Sequence, residues 1–165
     1  RARKMSNYKI RLLEKQRLRF SYWISEKQFR RYAKKAFGQP GNTGENLLRL
    51  LERRLDNAVY RFGFAPTILS ARQMISHGHI LVNGSKMDKP SYMVRQADLV
   101  SVREGSKRLP LVEEGVARSQ ARPQLSYFEF DRKNLRGTLT EIPSREQIPL
   151  AINEALVVEY YAKYI

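Results

Sequence analysis

The 165 residues contain no cysteine, so no disulfide staples the chain and no thiolate is available to a zinc site. Histidine is nearly absent as well. His77 and His79 are the only two, and the nearest carboxylate in sequence is Asp88, which falls short of the three or four ligands a metal centre needs. No apolar run approaches the roughly 20 residues that span a bilayer, and no secretory leader pattern precedes the rest, so neither a membrane nor an oxidising compartment is expected. No serine is paired by spacing with both a histidine and an acid, and without a nucleophile constellation the chain is expected not to be an enzyme. The first residue is Arg1 rather than methionine, which points to a processed or truncated product.

The remaining scarcity is of negative charge. Sixteen Asp and Glu face 31 Lys and Arg, a net +15 that in a folded chain selects a polyanion through counterion release. The excess is uneven. Residues 1–40 hold 13 basic and 2 acidic side chains, residues 41–110 hold 11 and 6, and residues 111–165 hold 7 and 8. Nucleic acid is the expected partner, and nothing calls for a cofactor or a small-molecule substrate.

What is present gathers around residues 53–104. Leu47, Leu48, Leu51, Leu55, Ala58, Val59 and Phe62 recur at three- and four-residue spacing, which predicts one helix from Gly44 to Phe62 with Thr43 as its cap. Arg49, Arg53, Asp56 and Tyr60 then share the opposite, solvent face, with Arg54 and Arg61 at its edge. Gly63 ends the helix and Pro66 prevents its continuation. Thr67 caps a second helix, Ile68 to His77, which Gly78 stops. His79–Val82 reads as a strand closing on Asn83-Gly84, the strongest short hairpin signal, and Leu99–Val102 is a strand to pair with it.

These residues carry a resemblance. Arg54-Leu55-Asp56-Asn57 with Tyr60-Arg61, then Ala71-Arg72-Gln73, then the run from His77 to Gly84, resembles the small RNA-binding domain named after ribosomal protein S-four. Glu14-Lys15-Gln16, Glu26 to Arg30, Gly41 to Leu47 and Asn153 to Tyr161 extend the resemblance to the bacterial-type small-subunit ribosomal protein family itself, over nearly the whole chain. It implies an α+β fold. A mainly helical domain, 1–52 with 148–165, would hold an inserted α+β domain, 53–147, whose RNA-binding module is 53–104. It also implies a structural constituent of the small subunit, in a cytoplasmic or organellar ribosome, which binds 5′-domain ribosomal RNA at a multi-helix junction and nucleates assembly. Contributions to the messenger channel and to decoding accuracy follow from the same resemblance, with messenger RNA and small-subunit protein S-five as further partners. Family members usually begin with a further basic segment, in some cases holding a cysteine-bound zinc.

Along the rest of the chain, Arg1, Arg3 and Lys4 form a basic arm that the family places near the messenger entrance. A helix from Ser6 to Phe20 is predicted with Leu13 and Phe20 as inward anchors. Ser25 and Gln28 box a second, Glu26 to Phe37, which buries Phe29, Ala33, Ala36 and Phe37 and presents Lys27, Arg30, Arg31, Lys34 and Lys35. Phe20, Tyr22, Trp23 and Tyr32 are assigned to packing rather than base stacking. A short helix over Leu111–Ser119 and strands over Leu125–Phe130 and Arg136–Thr140 give a mostly antiparallel sheet. Ala155–Tyr161 is β-branched and aromatic, so propensity says strand while the resemblance says helix.

The expected RNA contacts are Arg49, Arg53, Arg54, Arg61, Arg72, His77, His79 and Lys86 with Lys15, Arg17, Arg30, Arg31, Lys34 and Lys35, two sets that the family fold brings to one side. Tyr8, Arg11, Tyr160, Tyr161 and Lys163 are the expected protein interface. Two enzymatic readings weaken on inspection. Arg54-Leu55-Asp56 matches the catalytic tripeptide of pseudouridine synthases but lacks its Thr-Ser-Gly continuation and the large catalytic domain. The glycine-rich loop 38–44 lacks the Gly-Lys-Ser/Thr ending of a nucleotide cradle. The readings from another class are a stand-alone RNA chaperone or stress factor, or the RNA-binding part of an RNA-modifying enzyme.

Overall fold

A computed structural model describes residues 3–165, so Arg1 of the basic arm lies outside the described residues. In chain order the elements are α1 (Asn7–Ser21), α2 (Glu26–Phe37), α3 (Thr43–Glu52), α4 (Leu55–Phe62), α5 (Ile68–Ser76), β1 (Ile80–Val82), β2 (Ser85–Lys86), β3 (Leu99–Val102), α6 (Pro110–Ser119), β4 (Phe128–Asp131), β5 (Arg136–Leu139) and α7 (Glu154–Ala162). The chain divides into two compact units, residues up to Leu51 with Pro149–Ile165, and Glu52–Ile148.

In the first unit α1 starts at Ser6, whose Oγ accepts the Lys9 N–H at 3.2 Å, and α2 starts at Ser25, whose Oγ accepts the Gln28 N–H at 3.2 Å. Leu13 and Phe20 do not anchor α1. Both are exposed, because the row that turns inward is Lys15, Leu18 and Tyr22, on the other side of the helix. An amphipathic reading misses this row because its first member is a lysine, buried against an acidic partner on α2. Asn42, not Thr43, caps α3: its Oδ1 accepts the Glu45 N–H and its carbonyl the Asn46 N–H, each at 2.9 Å. The Asn46 amide in turn donates to the carbonyls of Ala36, Gln39 and Pro40, which holds the glycine-rich loop in place. The C-terminal segment is a helix despite its strand-like composition. Asn153 caps it, and Val157 and Tyr161, one turn apart, are buried, with the Tyr161 ring 5.7 Å from that of Phe29.

In the second unit the predicted continuous helix 44–62 is two helices. Arg54 is extended (φ −62°, ψ 141°), and groups far along the chain take over the hydrogen bonds a continuous helix would make. The Leu55 N–H donates to the Tyr92 carbonyl (2.8 Å), the Asp56 N–H to the Pro90 carbonyl (3.1 Å), and the Val94 N–H to the Arg53 carbonyl (2.8 Å). The Asn57 side chain donates to the Glu52 carbonyl at 2.7 Å and closes the end of α3. The apolar spacing survives the break because Leu55, Ala58, Val59 and Phe62 still face one core.

That core also takes in Phe64, Ala71, Met74 and Ile75 from around α5, and Ile80, Val100, Val102, Phe128 and Leu139 from the sheet. The sheet is antiparallel throughout, ordered β2-β1-β3-β5-β4. The β1–β2 turn has φ 52° at Asn83 and 81° at Gly84, as a type I′ hairpin requires. Asn83 is fastened further: its side chain donates to Asp98 (2.9 Å) and accepts the Leu99 N–H (2.8 Å), which ties the turn to β3. Among the described residues no helix is long and apolar enough to cross a membrane.

Candidate nucleic-acid interface

Two cationic side chains of the second unit, Arg54 and Arg72, are arranged around a buried acid. Asp56, in the first turn of α4, is almost wholly enclosed; its Oδ1 accepts the Arg54 Nε at 3.1 Å and the Asn57 N–H at 2.8 Å. Its Oδ2 accepts from Arg54 Nη2 at 2.9 Å and from Arg72 Nε at 3.1 Å. The prediction of a solvent-facing Asp56 fails because the helix breaks one residue before α4 and turns this carboxylate inward. Arg54 goes with it, its side chain only 3% exposed, and serves as the counter-ion of Asp56. Arg72 differs: one edge of its guanidinium is fixed on Asp56 while the side chain stays 29% exposed. A cation held in one pose loses less freedom when it meets a phosphate.

Beyond Arg72, the end of α5 and the start of β1 bring His77, His79 and Lys86 together. Gly78, left-handed at φ 81°, ends the helix turn, and a Cβ there would meet the Lys86 Cε at 2.5 Å, so the lysine crosses directly above it. The two imidazoles lie 6.4 Å apart between centroids. His79 Nδ1 shares a hydrogen bond with the buried Ser106 Oγ at 2.7 Å, and partial burial with the nearby Arg103 and His77 charges holds its pKa below the usual histidine value. Arg53 donates its Nε to the Val94 carbonyl (3.0 Å); burial and then Arg95 pull its pKa down, while Asp98 opposes them. Arg61 pairs with the fully buried Glu52 at 2.9 Å, which also accepts the Tyr127 hydroxyl at 2.7 Å; burial and this carboxylate push the Tyr127 pKa far up. Arg61 is therefore half committed to the interior.

In the first unit Lys15 is buried. Its side chain is 5% exposed, donates to Glu26 at 2.8 Å and to Gln16 at 3.2 Å, and lies over the Tyr160 ring at 5.0 Å. A lysine so enclosed holds α1 to α2. Arg17 is exposed and paired with Glu14 at 2.8 Å; Arg49 pairs with Glu45 at 2.9 Å. Arg30 donates to the Tyr164 carbonyl at 2.9 Å. Arg31, Lys34 and Lys35 stand exposed on α2, and Arg3 and Lys4 are exposed ahead of α1.

Of the expected protein interface, Tyr8 lies against Tyr160 in a tilted ring contact, 6.1 Å between centroids, and Arg11 pairs with Glu159 at 2.8 Å, while Lys163 is exposed. Tyr161 is buried, and its hydroxyl donates to Glu26 at 2.8 Å. Sequence reasoning missed four further positions. Arg122 stacks on the Tyr60 ring at 4.1 Å and donates to the Tyr60 carbonyl (2.9 Å), Arg132 lies 4.4 Å from the Phe130 centroid, and Arg95 and Arg103 flank the Arg53 and His79 sites. The only available signal was the density of arginine in aromatic surroundings.

Buried acids that steer partly exposed arginines, a hairpin fastened to its sheet and a histidine–lysine corner above a helix end define an RNA-binding module built on a rigid frame. Residues 53–100 match the S4 domain, and residues 1–52 match the ribosomal protein S4/S9 N-terminal domain. The chain is similar to small ribosomal subunit protein uS4 of Sulfurihydrogenibium sp., with 48% identity over 97% of this chain and 79% of the relative. It is 49% identical to small ribosomal subunit protein uS4c of Tupiella akineta, over 96% and 77%. It is 50% identical to small ribosomal subunit protein uS4 of Streptococcus thermophilus, over 98% and 79%. The chain belongs to the uS4 family of small ribosomal subunit proteins, whose members are ribosomal proteins and not enzymes.

Proposed function

We propose that the chain is a structural constituent of the small ribosomal subunit that binds ribosomal RNA of the 5′ domain at a multi-helix junction and nucleates assembly there. The observation that carries this reading is the Asp56–Arg72 pair: a buried carboxylate with one arginine wholly enclosed and a second held partly in solvent. RNA helices offer phosphates, 2′-hydroxyls and shape rather than a readable major groove, so a reader of their arrangement needs cations in set positions. Arg53, Arg61, Arg72, His77, His79 and Lys86 form the contact set of the inserted α+β unit, and Arg17, Arg30, Arg31, Lys34, Lys35 and Arg49 that of the helical unit.

Two finer assignments rest on family membership. Arg3 and Lys4, with Arg1, lie by the messenger entrance, and Tyr8, Arg11, Tyr160 and Lys163 meet small-subunit protein S-five, where they influence decoding accuracy. An unaltered misreading rate after Tyr160 is replaced removes the second assignment.

The test of the main reading is affinity for a folded 5′-domain junction against a generic RNA duplex, across a salt titration with Mg²⁺. Phosphate contacts steepen the salt dependence for both RNAs. Only a shape-matched site retains a preference of several kcal/mol at physiological salt. Equal binding to both assigns the chain to general RNA chaperoning instead.

A further inference from the structure

Tyr22 and Ile24 are both buried, so the backbone between α1 and α2 must turn at position 23 and push that side chain outward. The turn is left-handed, φ 50° at Trp23, with the Trp23 N–H on the Phe20 carbonyl (3.2 Å) and the Ile24 N–H on the Arg19 carbonyl (3.4 Å). Glycine adopts this conformation without strain; a bulky residue there is an outlier. Trp23, the single tryptophan of the chain, nevertheless stands here 52% exposed, edge-on to a 48% exposed Phe20 at 6.1 Å. Phe20 and Trp23, assigned to packing from the sequence, each leave about half of the residue exposed.

The surroundings are cationic. The Arg19 guanidinium lies 4.4 Å from the Phe20 centroid and is fixed by Gln16 Oε1 and the Ile24 carbonyl, each at 3.0 Å. Leu13, Arg17 and Phe20 line an open groove beside it. The only acids in residues 1–40, Glu14 and Glu26, are each engaged by cations. Exposed rings beside fixed arginines, in a segment with 13 basic residues, suit a polyanion that carries flat apolar groups, which is single-stranded RNA.

We infer that Trp23 and Phe20 form a stacking platform for unpaired RNA bases, with Arg17 and Arg19 positioned for the adjoining backbone. The inference deepens the RNA-binding reading and rests on it. Stacking needs no particular base, so the platform takes a single-stranded segment flanking folded RNA and not a defined sequence.

The sole tryptophan is its own reporter. The full chain is titrated with labelled oligouridylate and oligoadenylate, with binding followed by RNA anisotropy and stacking by tryptophan emission, and a folded 5′-domain junction is run in parallel. Emission quenched in step with anisotropy is expected, with oligoadenylate, the better stacker, quenching more. Trp23→Gly is expected to weaken single-strand binding roughly tenfold, to leave junction preference intact, and to hold or raise the melting temperature, because glycine relieves the left-handed position. Trp23→Phe keeps most of the affinity. Single strands that bind without any change in emission overturn the platform while leaving the RNA-binding reading in place, as does wild-type affinity in Trp23→Gly. Failure of every RNA to bind overturns both.

Discussion

The two cationic surfaces of the molecule are built on different principles. Around α4 and α5, charge is anchored: Arg72 on Asp56, Arg61 on Glu52, Arg53 on the Val94 carbonyl. Along α2, Lys27, Arg31, Lys34 and Lys35 point to solvent, and no ion pair to any of them occurs among the described residues. Anchoring costs desolvation of the acid and returns a fixed geometry. Unanchored lysines keep their rotamer entropy until a phosphate arrives and then lose it. The first surface is suited to discriminate among RNA shapes, the second to attract any RNA.

The sharpest way to break this contrast is to remove the anchor. Asp56→Ala takes the carboxylate partner from the enclosed Arg54, and denaturant unfolding is expected to show a loss of about 3–5 kcal/mol, enough to threaten folding of the inserted unit. Asp56→Asn is the gentler probe and is expected to lie between that variant and wild type.

Arg72→Gln removes the exposed half of the pair and spares the core. Its expected cost is about 1–3 kcal/mol in preference for the junction over a duplex, seen in competition binding, with little change in melting. Equal losses toward both RNAs would mean that the anchored surface does not discriminate.

The helical unit has an anchored cation of its own, and it offers an internal control. Partial burial tends to raise the Glu26 pKa, but hydrogen bonds from Lys15 and Tyr161 and the charges of Lys15 and Arg19 outweigh it, and the net shift is downward from 4.5. A lowered folded-state pKa contributes stability that is present above the unfolded value and lost as pH falls through the folded one. The window therefore lies below about pH 4.5, and since Glu26 is half-exposed the contribution is expected to stay under about 1 kcal/mol. Acid titrations of wild type and Glu26→Gln at constant ionic strength should diverge only above that window and converge beneath it.

The smallest effect on specificity should come from the unanchored surface. Replacing Lys27, Arg31, Lys34 and Lys35 together by glutamine is expected to flatten the salt dependence of binding by roughly one unit per lost phosphate contact. The junction preference should move by less than about 0.5 kcal/mol. A large change in preference would erase the distinction between the two surfaces.

The hairpin, the α5 helix with its cap and the left-handed glycines at 63 and 78 were legible in the sequence, because each depends on neighbours within a few residues. The break between α3 and α4 was not. Its hydrogen bonds come from Pro90, Tyr92 and Val94, about 40 residues on, and the apolar spacing runs through it undisturbed. The inward lysine of α1 was hidden for a related reason: Lys15 reads as surface until Glu26 and Tyr160 are seen around it, and once it turns in, Leu13 and Phe20 must turn out. Arg54 followed the same logic with Asp56. Composition alone misjudged α7, where Val157 and Tyr161 are a helical turn apart and the β-branched residues satisfy a packing face rather than a pleat.

The division of the helical unit across the chain sets an order of events during synthesis. Residues 52–148 form a unit whose every element has left the polymerising site before α7 is made, whereas α1 and α2 wait for the last residues to supply Tyr161 and its hydroxyl to Glu26. The most basic 40 residues are therefore made ahead of the insert and are left without their closing helix until α7 follows it. A polyanion that reaches them first can act as a template for that closure rather than as a ligand of a completed surface.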